Sequence, residues 1–233
     1  AGWLGIGLAR IPEDPQAEPD PKRTLVNLAR LSRRRALREA LVPRPGPIWR
    51  RRGRRRGGAP AGPGTTRHHA EVSDRPRAGS LLVAVPGVLE DPNFRRTVVL
   101  LLEHGADSGA LGVVLNRPLE TPVDEPFPGW DDLVTEPSVL FCGGPVAPTM
   151  VIALGRPRPG TTPPTGWEQV LDDQGHRLGT VDLRREVHEV APSLEQLRVF
   201  AGYSGWSPGQ LEGEIDQGAW FVVGAEPWDP FAD

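Results

Sequence analysis

The chain has 233 residues with 27 basic and 30 acidic side chains, a formal net charge of −3. This near-neutral total is the sum of two unlike parts: residues 1–78 carry a net charge of +11, and residues 79–233 carry −14. No apolar run approaches the roughly 20 residues that a membrane-spanning helix needs, so we expect no membrane insertion. The single cysteine, Cys142, excludes an intrachain disulfide and a cysteine-clustered zinc site.

Residues 1–78 are rich in Arg, Pro and Gly, and we predict that they form a mostly disordered extension. Such a segment repels itself and buries too little apolar surface to offset the entropy of ordering. One stretch, Thr24–Leu41, has the leucine spacing of a short basic helix. The arginine-rich tract Arg50–Arg56 is suited to binding nucleic acid through the phosphates, with a strong salt dependence. The alternative is that this extension is not native and comes from a start codon assigned too far upstream.

From Gly79 onward, short apolar runs alternate with loops rich in proline and glycine, which predicts many short strands. The predicted strands are Leu81–Val85, Thr97–Glu103, Ala110–Leu115, Val139–Cys142, Met150–Leu154, Glu168–Leu171, Gly179–Leu183, Leu197–Tyr203 and Ala219–Val223. The polar stretch His104–Gly109 predicts a hairpin between the second and third of them. Because proline cannot continue a central ladder, Pro118 should follow the end of the third strand. We expect residues 119–137 to form a loop with a short helix.

One helix is predicted near the end of the chain. Ser207 suits the N-cap and Pro208 the first helical position, and Gly218 suits the helix-terminating position after Gly209–Gln217. About 155 residues with many strands and few helices indicate a single α+β domain, residues 79–233, with a mainly antiparallel sheet.

Two residues are candidate nucleophiles of a hydrolase, which is the alternative to a binding role. Ser204 lies in the string Gly202–Trp206, which differs from a nucleophile elbow because Trp206 replaces the second glycine. Cys142 lies between Phe141 and Gly143, where a small buried residue is the commoner role. The five histidines show no spacing typical of a metal site, so we expect no metal.

The residues from Gly79 onward resemble the YqgE/AlgH family of bacterial proteins over 79–229. The matching strings are Gly79–Ala84, Asp91–Phe94, Arg96–Val99, Gly109–Gly112, Leu115–Pro118, Gly143–Val146, Arg198–Trp206, Pro208–Glu212 and Gly218–Trp220.

The resemblance implies an α+β fold with a bifurcated, barrel-like sheet, a cytoplasmic location and no known cofactor. One branch of the family is associated with alginate production, which gives the family its label of transcriptional regulator. No helix-turn-helix pattern supports direct DNA contact here. The resemblance also implies that the domain lacks a final short helix after its Trp-rich end.

We therefore expect a regulatory or binding protein rather than an enzyme, with an unknown small molecule or protein as its partner. Polar and aromatic residues at the ends of predicted strands form the candidate binding surface, because loops at strand ends commonly carry function. These residues are Asn93, Asn116, Arg117, Gly143, Gly144, Tyr203 and Trp206. The alternative is that they serve only in turns and packing.

Overall fold

A single branched sheet dominates the computed structural model, which describes residues 8–10 and 75–232. Its strands are β1 Leu8–Arg10, β2 Ser80–Ala84, β3 Val98–Gly105, β4 Gly109–Val114, β5 Pro118–Pro122, β6 Val139–Cys142, β7 Val146–Pro157, β8 Trp167–Asp173, β9 His176–Val181, β10 Leu194–Trp206 and β11 Trp220–Gly224. In the described part of the chain, two short helices accompany them, α1 Val187–Val190 and α2 Gln210–Asp216, with 3-10 turns at Asp131–Leu133, Ala191–Ser193 and Asp229–Phe231.

The sheet forks at its longest strand, β10. Along the main path the order is β11-β2-β3-β4-β10-β7-β9-β8, and neighbours on it are antiparallel. One part of β10, Phe200 and Ala201, pairs in parallel with β6, whereas Ser204–Trp206 pair with β4. β5 extends the branch by pairing with β6. Among the described strands, β11 and β8 end this path without pairing with each other, so the sheet is open.

The apolar runs of the sequence account for the core. All six residues of β4 are buried, as are Leu197–Gly202 of β10, because both faces of these central strands are covered. By contrast, β2 alternates between buried and half-buried residues. The buried side chains form three clusters, of which one lies around β10 and the Trp130 region, one between β3, β4, β6 and β7, and one against α2 and β11.

A charged side chain is buried in the middle of β10. Arg198 is 1% exposed, and its guanidinium donates hydrogen bonds to the carbonyls of Pro230, Ala232 and Glu136 at 2.9–3.0 Å. The same group lies 4.3 Å from the ring centroid of Phe141, in cation–π geometry. Arg198 thereby ties the last described residues to the segment that precedes β6.

The structure confirms the nine predicted strands, the β3–β4 hairpin and the α+β class with a mainly antiparallel sheet. Gly218 takes the positive φ of +76° expected after a helix. The prediction of Ser207 as N-cap is wrong, because α2 begins at Gln210 and Gly209, with φ +75°, is its N-cap. Pro118 does end the β4 run, but it also begins β5, a strand missed in the predicted loop.

Most of the predictions for residues 1–78 concern residues outside those that the structure describes. Thr24–Leu41 and Arg50–Arg56 lie there, so the helix and the nucleic-acid tract stay predictions. Among the few residues of the extension that the structure describes, Leu8–Arg10 forms β1, which pairs with Met150–Ile152 of β7. Within the described residues, no helix has the length and apolar character that crossing a bilayer requires.

Candidate functional site

The loop Asp91–Arg96 joins β2 to β3, and Arg117 binds its backbone. Asp91 Oδ1 accepts the backbone N–H of Asn93 at 2.7 Å, which closes the first turn of the loop. Arg117 Nη2 donates to the carbonyls of Pro92 at 3.0 Å and Arg95 at 3.2 Å. One guanidinium therefore fixes both halves of the loop.

Asn116 fixes the end of the same loop where β3 begins. Its Oδ1 accepts the N–H of Val98 at 3.1 Å, and its Nδ2 donates to the carbonyl of Arg96 at 2.9 Å. Arg96 has a φ of +59°, in the left-handed region that non-glycine residues adopt at a cost. The two amide contacts of Asn116 span this unfavourable residue and stabilise its conformation.

Aromatic rings pack against Phe94 in the Asp91–Arg96 loop. The ring of Phe94 lies 5.9 Å from the ring of Trp206 and 5.7 Å from that of Trp220, measured between centroids. Both indole N–H groups donate to Oε2 of Glu214 at 2.9 Å. We call Phe94, Trp206, Trp220 and Glu214 the Trp–Glu cluster. Because Trp206 is only 4% exposed, it acts here as a core residue.

Arg117 also lies near the single cysteine. Burial lowers the pKa of Arg117, while the proximity of Cys142 and Asp91 opposes this shift and that of Arg95 adds to it. The Cys142 backbone N–H donates to the Arg117 carbonyl at 2.8 Å, and the residue is half-buried. No group of three or more His, Cys, Asp or Glu in the described part of the chain could hold a metal ion.

The glycine pair between β6 and β7 crosses β10 at very short range. A Cβ added at Gly143 would overlap the carbonyl oxygen of Gly202, and one added at Gly144 would overlap the backbone of Tyr203. Ser204, which is 0% exposed, donates its hydroxyl to the Gly143 carbonyl at 3.2 Å. A substrate cannot reach the Ser204 hydroxyl without movement of this crossing, so the structure gives the hydrolase alternative through Ser204 no support.

The candidate surface thus divides into two groups with different surroundings. Four of its members surround the Asp91–Arg96 loop, namely Asn93, Asn116, Arg117 and Trp206. The other three, Gly143, Gly144 and Tyr203, lie at the β6–β10 crossing. Six of the seven residues have a packing or hydrogen-bonding role within the fold, including Tyr203, which packs against the core cluster between β3, β4, β6 and β7. The seventh, Asn93, contributes its backbone N–H to the turn of the loop.

A pocket of about 490 Å³ opens where several strand ends meet the last residues of the chain. It is lined by Leu81, Val98, Leu115, Asn116, Pro118, Pro137, Phe141, Asp229 and Ala232. Seven of these nine residues are apolar, and one of them, Phe141, is the residue whose ring packs against the guanidinium of Arg198. Asn116 connects the pocket to the Asp91–Arg96 loop.

Asp229 supplies the one carboxyl group of the pocket lining. Its Oδ2 accepts the backbone N–H of Glu226 at 2.7 Å. Burial raises the pKa of Asp229, and the hydrogen bond from Glu226 only partly opposes this shift. The carboxyl group therefore keeps a proton to a higher pH than an exposed aspartate does.

A family model described as DUF179, AlgH-like, matches residues 81–233. The chain belongs to the AlgH-like family. A UPF0301 protein of Thermobifida fusca is 49% identical over 158 residues, which cover 66% of this chain and 78% of the relative. One from Mycobacterium marinum is 45% identical over 162 residues, covering 70% and 79%. The resemblance inferred from the sequence is thereby confirmed.

Two solved structures also match the chain. A crystal structure of a Corynebacterium diphtheriae protein matches with a TM-score of 0.63 and 34% identity, covering 68% of this chain and 81% of that one. The solution structure of AlgH from Pseudomonas aeruginosa matches with a TM-score of 0.49 and 28% identity, covering 66% and 80%.

Sequence reasoning missed most of the pocket of this AlgH-like domain. Of its lining residues, Asn116 alone was among the candidates. Six of the seven apolar members lie within or beside predicted strands and have the pattern of core residues, whereas Asp229 and Ala232 follow the last predicted strand. Leu115 and Pro118, close to Asn116 in the sequence, were the one indication of an apolar pocket there. The same pattern is equally typical of a strand that ends in a turn.

Proposed function

We propose that this AlgH-like protein is a binding protein with a regulatory role in the bacterial cytoplasm, and that the pocket beside Asn116 takes a compact apolar group. The observation that carries the proposal is a space of about 490 Å³ with an almost wholly apolar lining. Ligand pockets have volumes of about 300–1,000 Å³ and combine apolar walls with a few polar groups.

The polar groups of the pocket narrow the class of ligand. The Asp229 carboxyl group can accept a hydrogen bond, and when it is protonated it can also donate one. Asn116 uses its amide to hold Arg96 and Val98, which leaves it little capacity for a ligand. A small aromatic or aliphatic group with one hydrogen-bond donor, either a free molecule or a side chain of a protein, therefore fits this lining best.

Indole at millimolar concentration is a suitable probe, because it is apolar and carries a single N–H donor. Residue-resolved NMR of the full chain should show shifts that concentrate at Leu81, Val98 and Phe141. The Val98→Phe variant should lose these shifts, since the larger ring fills the pocket. Val88→Phe is the matched control, because Val88 is 53% exposed and outside the lining.

Two results would contradict the proposal. One is an absence of indole-dependent shifts at the pocket in the wild-type protein. The other is a response of Val98→Phe that equals the response of Val88→Phe. Urea unfolding of both variants shows whether Val98→Phe remains folded, and the smaller Val98→Leu replaces it if it does not.

A further inference from the structure

β1 occupies a part of β7 that the other strands leave open. On one side β7 pairs with β10, from Val146 to Pro157. On its other side β9 reaches only Ala153–Gly155. The three residues of β1 continue from there, with Leu8 opposite Ile152, Ala9 opposite Val151 and Arg10 opposite Met150. β1 runs antiparallel to β7, as β9 does, and so extends the line of β9 along the same edge.

The backbone direction of Val151 follows from the neighbouring strands. The Ala201 carbonyl accepts the N–H of Gly143, so the polar groups of Ala201 face β6 and not β7. Alternation along β10 then turns those of Phe200 toward β7, where Phe200 is opposite Ile152. The N–H and C=O of Ile152 hence point to β10, and those of Val151 point to the opposite side, toward Ala9.

Val151 would present an unpaired N–H and C=O on that side in the absence of β1. Val151 is 0% exposed in the folded chain, and its side chain belongs to the core cluster around β10, which anchors this part of β7. An unpaired, rigid stretch of strand is a template for the addition of an extended peptide. The stretch is short, because Ala147 has a φ of +44° and Pro148 has no N–H to donate.

Two features mark β1 as an added segment and not as a part of the domain. The family model begins at residue 81, well after Leu8–Arg10, so the open side of β7 belongs to the matched domain and its cover does not. In addition, residues 1–78 carry a net charge of +11 and residues 79–233 carry −14, so the two parts attract each other.

We propose that the open side of β7 at Met150–Ile152 is an acceptor site for an extended peptide strand, and that Leu8–Arg10 is the segment of this chain that occupies it. The Ala9–Val151 pair supplies the reciprocal backbone hydrogen bonds of this site. Partners of the site are extended segments that bind antiparallel to β7, and the chain's own segment competes with them.

Hydrogen exchange of single amides, measured by NMR on the full chain, tests the occupant. In Ala9→Pro the strand loses its central N–H, and we expect the Val151 amide to exchange about five- to tenfold faster, the factor that one lost hydrogen bond corresponds to. Ala9→Val keeps the N–H and should leave Val151 unchanged. The amides of Ile152 and Ala153, which face β10 and β9, serve as internal controls for an intact fold. Equal exchange of Val151 in wild type and Ala9→Pro, with these controls unchanged, would overturn the assignment of Leu8–Arg10.

A second arm tests the acceptor site itself. A synthetic peptide of residues 3–12, added to Ala9→Pro, should restore slow exchange at Val151, whereas the same peptide with proline at position 9 should not. A lack of effect of the first peptide would overturn the acceptor site. Sedimentation decides whether the wild-type strand binds within one chain. A dimer whose Val151 protection disappears on dilution would overturn binding within one chain and assign the strand to a second copy.

Discussion

One carboxylate oxygen, Oε2 of Glu214 in α2, binds two buried tryptophans, Trp206 and Trp220. Glu214 Oε2 accepts the indole N–H of both Trp206 and Trp220, and its Oε1 accepts the side-chain amide of Gln210 at 3.1 Å. Buried indole N–H groups need an acceptor, since an unpaired one keeps its full desolvation cost. Glu214 therefore allows two large rings to pack against Phe94 without leaving a buried donor unpaired.

We expect Glu214→Ala to lower the free energy of unfolding by about 2–4 kcal/mol, because it removes the acceptor of two donors that are each worth about 1–3 kcal/mol when left unpaired. Glu214→Gln keeps a carbonyl oxygen at the same place and should cost less than half of that. Urea unfolding followed by tryptophan fluorescence measures both values. Equal losses in the two variants would show that the charge, and not the acceptor geometry, stabilises the cluster.

Trp206 shows why the site was only partly predictable at this scale. An aromatic residue at a strand end suits a ligand pocket and a core equally well, and the sequence contains nothing that separates these roles. The decisive partner, Glu214, lies eight residues away across a bend and a helix start. That contact depends on where Gly209, at φ +75°, turns the chain into α2.

At the level of elements, the Asp91–Arg96 loop depends on contacts from three other parts of the chain. Arg117, just before β5, donates to its carbonyls, and Asn116 binds its last residue. Trp206 and Trp220 of the Trp–Glu cluster pack against its Phe94. A loop with exposed Arg95 and Arg96 would otherwise offer an accessible site for a protease.

Arg117→Met should expose this loop to trypsin. The substitution removes the donor to the Pro92 and Arg95 carbonyls but keeps an unbranched apolar stem in place of that of arginine. We expect cleavage after Arg95 and Arg96 to become several times faster, as followed by mass spectrometry of the fragments. Asn93→Ser is the matched control, because Asn93 contributes its backbone N–H to the loop turn. The prediction fails if both variants resist trypsin as the wild type does while remaining folded by urea unfolding.

The strands were predictable because their apolar runs are short and end at glycine or proline. Val139–Cys142 was predicted with its observed bounds, whereas β5 was missed. β5 has proline at both ends, which in general disfavours a strand. Because β5 pairs with β6 on one side only, it tolerates the missing N–H groups of its prolines. The fork at β10 could not be read from local patterns, because it depends on pairings between distant segments. The likeness to the family carried that part of the expectation.

For the whole molecule, the separation of charge is the dominant feature. The region 79–233 has nine basic residues, and Arg198, one of them, is buried against carbonyl oxygens where no phosphate can reach it. A region with a net charge of −14 repels nucleic acid unless a local basic patch overrides it. Any binding of nucleic acid by this chain should therefore depend on the basic residues before Gly79.

The tract Arg50–Arg56 contains six arginines, which allows a quantitative prediction. If each neutralises one phosphate of duplex DNA, the logarithm of the association constant should fall against the logarithm of the salt concentration with a slope of about −5. Fluorescence anisotropy of a labelled duplex measures this slope for the full chain. Substitution of the six arginines by glutamine should reduce the slope to near zero.

The matched control removes the same charge elsewhere in the extension by substituting Lys22, Arg23, Arg33, Arg34, Arg35 and Arg38 with glutamine. If the density of the tract is what binds phosphate, this control retains most of the slope, because its charges are spread more widely along the chain. Equal losses in the two variants would show that the net charge of residues 1–78 acts as a whole. Full binding by the variant without Arg50–Arg56 would assign nucleic-acid contact to another part of the chain, against the charge of the folded domain.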